Sequence, residues 1–377
     1  MWISLLELGL RLAVFGAGFW LAVTTVMSVI RSFVLPRAHR PWLTSLVFTA
    51  SFRAFYYLRL QKATTYEERD RLLALYSPVT LFFLPLAWLT FIMVGYTAML
   101  WAVGDGLSLR DAFLISGSSL MTLGFRMEDQ LALEILAMTE AALGMILIAL
   151  LIGYLPTMYS AFSKRETVVT LLEVRAGAPA SAVNMILRLN RIGILANADE
   201  MQTMWQNWET WFAEIEESHT TLAPLVFFRS PKSHRSWVVA AGVIIDAGAL
   251  IASTVDMPTR IHAPLCIRAG YVTLRSIADF FGLQYNPDPQ PDAPISIARE
   301  EYDAVYDELM ANGVPVKADR DQCWRDFAGW RVNYDEVLLQ IARLTWAPYA
   351  QWISDRSIVT QRRADSRELP IFDLNRS

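Results

Sequence analysis

Cysteine and histidine are scarce in this chain of 377 residues, with two of the first and four of the second. Cys266 and Cys323 form neither a metal-ligand spacing nor a disulfide framework, which fits a reducing compartment. His39, His219, His234 and His262 are scattered without ligand spacing, so no metal site is expected. No Gly-x-Gly-x-x-Gly follows a strand-like run and no phosphate loop occurs, which removes the usual nucleotide-binding fingerprints. No nucleophile, base or metal cluster is visible, so neither an enzyme nor a resident cofactor is expected. A basic excess is also missing: 33 Lys and Arg stand against 37 Asp and Glu, and a nucleic-acid partner is not expected.

Charge is absent over long stretches. Hydrophobic residues make up 54% of the chain and charged residues 19%, an apolar balance concentrated before residue 163. Leu12 to Ile30 carries no charge, and at about 1.5 Å per residue it covers the roughly 30 Å hydrocarbon core. A signal peptide would need a basic front and a small-residue cleavage site; Glu7 and Arg11 supply neither. A second uncharged run extends from Leu72 to Gly104, with Pro78 expected at its helix start and Pro85 within it. A third begins near Leu131 and continues to Ser163, with Glu134 and Glu140 in its opening turns, near the headgroups.

Basic residues orient these spans. Arg31, Arg37, Arg40, Arg53, Arg59, Lys62, Arg69 and Arg71 follow the first, and Lys164 and Arg165 follow the third. Between the second and third, Arg110 and Arg126 face Asp105, Asp111, Glu128 and Asp129. The expected arrangement is a multi-pass protein of the cell (inner) membrane, N-terminus outside and C-terminal half cytoplasmic. No span carries arginines at every third position, so no voltage sensor is expected. The apolar stretch 41–60, interrupted by Arg53 and Arg59, is too short to span. It reads either as an interfacial helix against anionic lipid of the inner leaflet or as a helix packed under the membrane domain.

Residues 107–121, LSLRDAFLISGSSLM, suit a half-length helix. Ser108 is its candidate N-cap with Asp111 as the capping acid. Ala112, Phe113, Ile115 and Leu120 can pack into a bundle, and the small residues Ser116 to Ser119 permit close approach. Thr122-Leu123-Gly124-Phe125 follows, then the third span.

This order of span, short helix, Thr-x-Gly-aromatic and span resembles the pore module of prokaryotic potassium channels over roughly residues 78–163. The resemblance implies an all-α membrane protein. It has three transmembrane helices, with a re-entrant pore helix and filter loop between the second and third, and a helical cytoplasmic domain. Backbone carbonyls of such a filter replace an ion's hydration shell. On this resemblance Thr122 supplies an inner site, Leu123 and Gly124 the middle carbonyls, and Phe125 a supporting aromatic. One loop per chain implies a homotetramer around a permeant ion, expected to be potassium or mixed monovalent cations. Gly144, twenty residues after Gly124, matches the position of a gating hinge, although close packing explains a membrane-helix glycine equally well. Gly153 and Pro156 could bend the same helix lower down.

Arg126 departs from the family, which places a second glycine there and then an acid. Four such arginines aimed at the axis would repel cations, while Glu128 and Asp129 at the outer mouth could neutralise them. Two alternatives to a cation channel therefore stay open: an anion-permeable pore set by Arg126, and a non-conducting membrane scaffold or sensor built on a pore module.

The expected organisation is an N-terminal transmembrane helix (1–35), a basic cytoplasmic or interfacial segment (36–77), the pore module (78–163) and a cytoplasmic helical domain (164–377). In the last, residues 197–217 place Met201, Met204, Trp205, Trp208 and Phe212 on one helical face, as a core. The apolar run 236–254 carries Asp246 at its centre, expensive in lipid, and reads as a buried soluble helix with that aspartate hydrogen-bonded. Residues 285–294 read as a proline-rich loop, and helical patterns resume at 299–312 and 333–353. The stretch from Gln361 is polar and expected to be mobile.

Overall fold

The structure, a computed structural model, describes residues 2–33, 42–63, 65–126, 129–257 and 262–355. The segment 34–41 with His39, the mouth residue Glu128 and the tail beyond residue 355 lie outside these. Among the described residues the chain is all helical, with no strand beyond a single bridge between Val255 and Val316. Twelve α-helices are described there: α1 (Trp2–Phe33), α2 (Trp42–Leu58), α3 (Tyr66–Val103), α4 (Leu109–Leu120), α5 (Leu131–Ala176), α6 (Ala182–Arg191), α7 (Ala198–Thr221), α8 (Trp237–Ser253), α9 (His262–Phe281), α10 (Arg299–Ala311), α11 (Arg320–Arg331) and α12 (Asp335–Leu344). Three of them, α1, α3 and α5, are long and apolar enough to cross a membrane.

The chain divides into two units, the first comprising residues 1–61 and 75–159 and the second residues 62–74 and 160–377. In the first, α1 runs antiparallel to α3. Arg11 of α1 donates to the Gly104 carbonyl (3.2 Å) and pairs with Asp105 (3.5 Å), while farther along α1 Ser28 accepts from Trp88 Nε1 (3.4 Å). Between these points the helices touch backbone to backbone. A Cβ on Gly18 would lie 2.5 Å from the Gly95 carbonyl oxygen, and one on Gly95 would lie 2.8 Å from that of Gly18. Glycine at both positions permits this approach. One face of α2, with Phe48 and Phe52, is buried, and Tyr76 of α3 donates to the Phe48 carbonyl (3.1 Å). Its other face exposes Leu46, Tyr57 and Leu58 beside Arg53.

Two expectations are corrected here. Helix α3 starts at Tyr66, so Pro78 lies inside it with Pro85. The start is set by Thr65, whose hydroxyl accepts from the Glu68 amide (3.2 Å) while the Glu68 carboxylate returns to the Thr65 amide (3.5 Å), a capping box. Glu140 does not sit free near a helix end: it is fully buried against α4.

In the second unit α8 is the central element, with every residue but Ala252 buried. Its 17 residues give about 26 Å, short of a bilayer core. Asp246 accepts two bonds from Arg331 Nη1 (2.6 and 2.8 Å) and one from the Tyr334 hydroxyl (2.8 Å). Arg331 also reaches Asp335 (2.7 Å) and the Trp352 carbonyl (2.6 Å). Burial pushes the Asp246 carboxyl up from its ordinary value, and the Arg331 charge opposes that rise. Helix α7 buries Met201, Met204, Trp205, Trp208 and Phe212, together with Trp211 and Ile215. Lys317 closes the end of α8 by donating to the Ala252 and Ser253 carbonyls (3.0 and 2.5 Å).

Candidate functional site

Helix α4 is built as an isolated half-length element. Ser108 caps it, accepting from the Asp111 amide (3.1 Å) and donating to the Asp111 carboxylate (2.6 Å). Its 12 residues span about 18 Å, too little to cross a bilayer. Ala112, Ile115 and Leu120 are buried, with Leu100 of α3 and Leu133 of α5 joining the first two in one cluster; Phe113 remains 47% exposed.

The far end of α4 is tied to both long helices. Ser116 Oγ lies 3.0 Å from the Met93 carbonyl oxygen of α3 and 2.5 Å from Glu140 Oε1 of α5. A Cβ on Gly144 would stand 2.1 Å from the Leu120 carbonyl oxygen. Gly144 is therefore the position that lets the end of α4 rest on α5. Met93 is eleven residues before Gly104, and Gly144 is thirteen after Leu131. These offsets correspond to about 16 and 20 Å of helix.

The chain after α4 turns its amides toward that helix. Thr122 N–H donates to the Ser119 carbonyl (2.9 Å) and Leu123 N–H to the Ser118 carbonyl (2.8 Å). The amides of Phe125 and Arg126 both donate to the Ser118 hydroxyl (3.0 and 3.3 Å). Thr122 (φ 55°) and Gly124 (φ 68°) occupy the left-handed region, whereas Leu123 and Phe125 do not. For a β-branched threonine this conformation is strained, at a cost of roughly 1–2 kcal/mol. The carbonyls of Thr122 to Phe125 accept no hydrogen bond among the described residues. Leu123 and Phe125 are 65% and 62% exposed.

Arg126 folds back. Its Nη2 lies 2.7 Å from Asp111 Oδ1, so the guanidinium is matched by an acid of the first turn of α4 in its own chain. Asp129 is exposed. Below this level α5 continues unbroken through Gly144, Gly153 and Pro156. Proline at 156 leaves the Ile152 carbonyl without its helical donor, and the Thr157 hydroxyl adds a bond to the Gly153 carbonyl (2.9 Å).

Thr122, Leu123, Gly124, Phe125 and Arg126 thus lie together beside α4, while Gly153 and Pro156 lie farther along α5. Sequence reasoning missed Ser118, which organises the segment, and Glu140, which holds α4 to α5. The signal for Glu140 was available: an ionisable residue inside an apolar run calls for a polar partner.

No protein-family description, curated protein or solved structure matches this chain.

Proposed function

We propose that the chain is one subunit of a homotetrameric, potassium-channel-like pore that passes potassium or mixed monovalent cations. In this reading α4 is the re-entrant pore helix, residues 122–126 form the filter, and α5 lines the conduction path. The observation that carries it is the row of carbonyls at Thr122 to Phe125 that accept no hydrogen bond among the described residues, with the amides of Thr122, Leu123, Phe125 and Arg126 bonded to α4. Carbonyl rings are the chemistry that strips water from a monovalent cation. The alternation of positive φ at Thr122 and Gly124 with ordinary backbone at Leu123 and Phe125 supports the same assignment. Glu128 and Asp129 would form the acidic outer mouth.

The pairing of Arg126 with Asp111 weighs against an anion pore, since each guanidinium brings its own counter-charge. The basic residues after α1 and α5 support an N-terminus outside and a second unit in the cytoplasm.

Reconstitution into liposomes with ion substitution tests the reading. Potassium flux above protein-free vesicles, exceeding chloride flux, is expected. Chloride flux in its place would make Arg126 the selector of an anion pore, and no flux of potassium, sodium or chloride would leave a non-conducting scaffold.

A further inference from the structure

Within the second unit, the ends of α3 and α5 remote from the 104–130 connection are held by the same short stretch of chain. The 3-10 turn Ala223–Phe227 and the next two residues lie between α7 and α8. Arg165 of α5, buried, donates to the Leu225 carbonyl through Nη1 (2.8 Å) and to the Phe228 carbonyl through Nη2 (2.8 Å). Four residues along the same stretch, Arg229 pairs with Asp70 in the opening turns of α3 (3.2 Å), with both side chains about nine-tenths buried. Its two terminal nitrogens donate to the Trp346 carbonyl after α12 (2.9 Å each).

Each charge in this cluster is compensated. Glu166 accepts from Arg165 Nε and Nη2 (3.0 and 2.8 Å), and the Phe162 ring lies under the guanidinium at 5.1 Å while packing on Phe228 at 5.8 Å. His219 of α7 closes the other side. Ser218 Oγ donates to the Glu214 carbonyl (2.6 Å), so the His219 Nδ1 facing it at 3.1 Å carries the ring hydrogen. That leaves the Nε2 lone pair toward Arg165 Nη1 at 3.4 Å. Burial, and then the Arg165 charge, hold this histidine well below its ordinary value, as a neutral acceptor requires.

We propose that Leu225–Arg229 is a clasp that fixes the bases of α3 and α5 to each other, and that Arg165, Asp70 and Arg229 are positioning residues for the path lined by α5. The second part rests on the pore reading; the first does not. Both helices run without interruption from the clasp into the first unit. Any rearrangement of α7, α8 or the segment after α12 that moves residues 225–229 must therefore move both helix bases together.

The full-length variants Asp70→Asn and Arg229→Lys test this by hydrogen exchange and liposome potassium flux. In Asp70→Asn, amides of residues 66–74 should exchange roughly tenfold faster while those of α8 stay unchanged, because only the local tie is cut. Potassium flux should depart from wild type by about fivefold or more, the lower end of ordinary coupling between distant sites. Arg229→Lys keeps a cation opposite Asp70 and should stay close to wild type in exchange. Unchanged exchange at 66–74 in Asp70→Asn overturns the clasp. Faster exchange with unaltered flux overturns the positioning role. A wild-type protein that passes no ion while exchange still responds overturns the pore reading and leaves the clasp standing.

Discussion

Arg126 matters through the direction of its guanidinium. An arginine in place of a glycine beside a carbonyl row would oppose cations if it faced the axis, but here it is matched by Asp111 at 2.7 Å. Both side chains are partly exposed, at 44% and 33%, so the pair is worth at most about 1 kcal/mol to folding. Its larger consequence is for the local field. Asp111→Asn should keep the α4 cap, since an asparagine side chain still fits that turn, yet it would leave four uncompensated arginines in the proposed tetramer. Cation flux should then fall by roughly fivefold at low salt, the effect of about 1 kcal/mol of repulsion, and the loss should shrink as ionic strength rises. Asp111→Asn with Arg126→Gln should recover flux. Equal flux in the single variant and wild type, measured in low-salt liposomes, would remove Arg126 from the conduction path. The Thr-x-Gly-Phe pattern was legible from order alone, because it depends on neighbours in sequence. The Arg126–Asp111 pairing was not, because fifteen residues and a reversal of the chain separate the partners.

Among the elements, the half-length α4 was readable from its cap and its length, but what holds it in place was not. Gly144 invites the reading of a hinge, and the structure gives it a steric duty: a methyl group there would meet the Leu120 carbonyl oxygen. Gly144→Ala should push the end of α4 away from α5 and disturb the Thr122–Phe125 backbone. The expected outcome is a loss of flux of at least about tenfold, with α8 and its neighbours unaffected in hydrogen exchange. A variant with normal flux would show that α4 and α5 separate freely at this level. The start of α3 was misread because a proline normally marks a first turn, whereas the Thr65–Glu68 box starts the helix at Tyr66, twelve residues before Pro78. In α7, burial keeps His219 neutral, and this has a pH consequence. In the unfolded chain the imidazole titrates near 6.5. Below that value the unfolded state takes up a proton that the folded state refuses, so stability falls with pH by up to about 1.4 kcal/mol per unit. Thermal unfolding in detergent between pH 7.5 and 5.5 should show a smaller acid loss for His219→Gln than for wild type. Equal losses would mean that the buried imidazole accepts a proton readily.

At the scale of the whole molecule, the divide between an apolar and a mixed-charge half was legible because a bilayer demands long uncharged runs. The division of α3 and α5 between two units was not, because both helices continue past the last apolar residue into Asp70 and Arg165. On the proposed pore reading, the number of copies follows from what one chain leaves unsatisfied. Only 17% of the most apolar window of α5 is buried within the chain, against 39% for α3. Lipid alone could cover that apolar face. On the proposed pore reading it would not cover residues 122–125, whose carbonyls accept no hydrogen bond among the described residues. Irregular backbone at membrane depth must be buried in protein or line water. The proposed ring of copies would meet both needs, placing α5 against neighbours and the carbonyls around a wet axis. Native mass measurement in detergent should therefore give four chains of 42.7 kDa each. A Phe125→Asp variant, charged where a large exposed ring now awaits a partner, should shift the protein toward smaller species while the second unit keeps its hydrogen-exchange protection. A wild-type protein that is monomeric at all concentrations would leave the carbonyl row in lipid, which the physics of the bilayer does not allow, and would overturn the placement of α4 within the membrane.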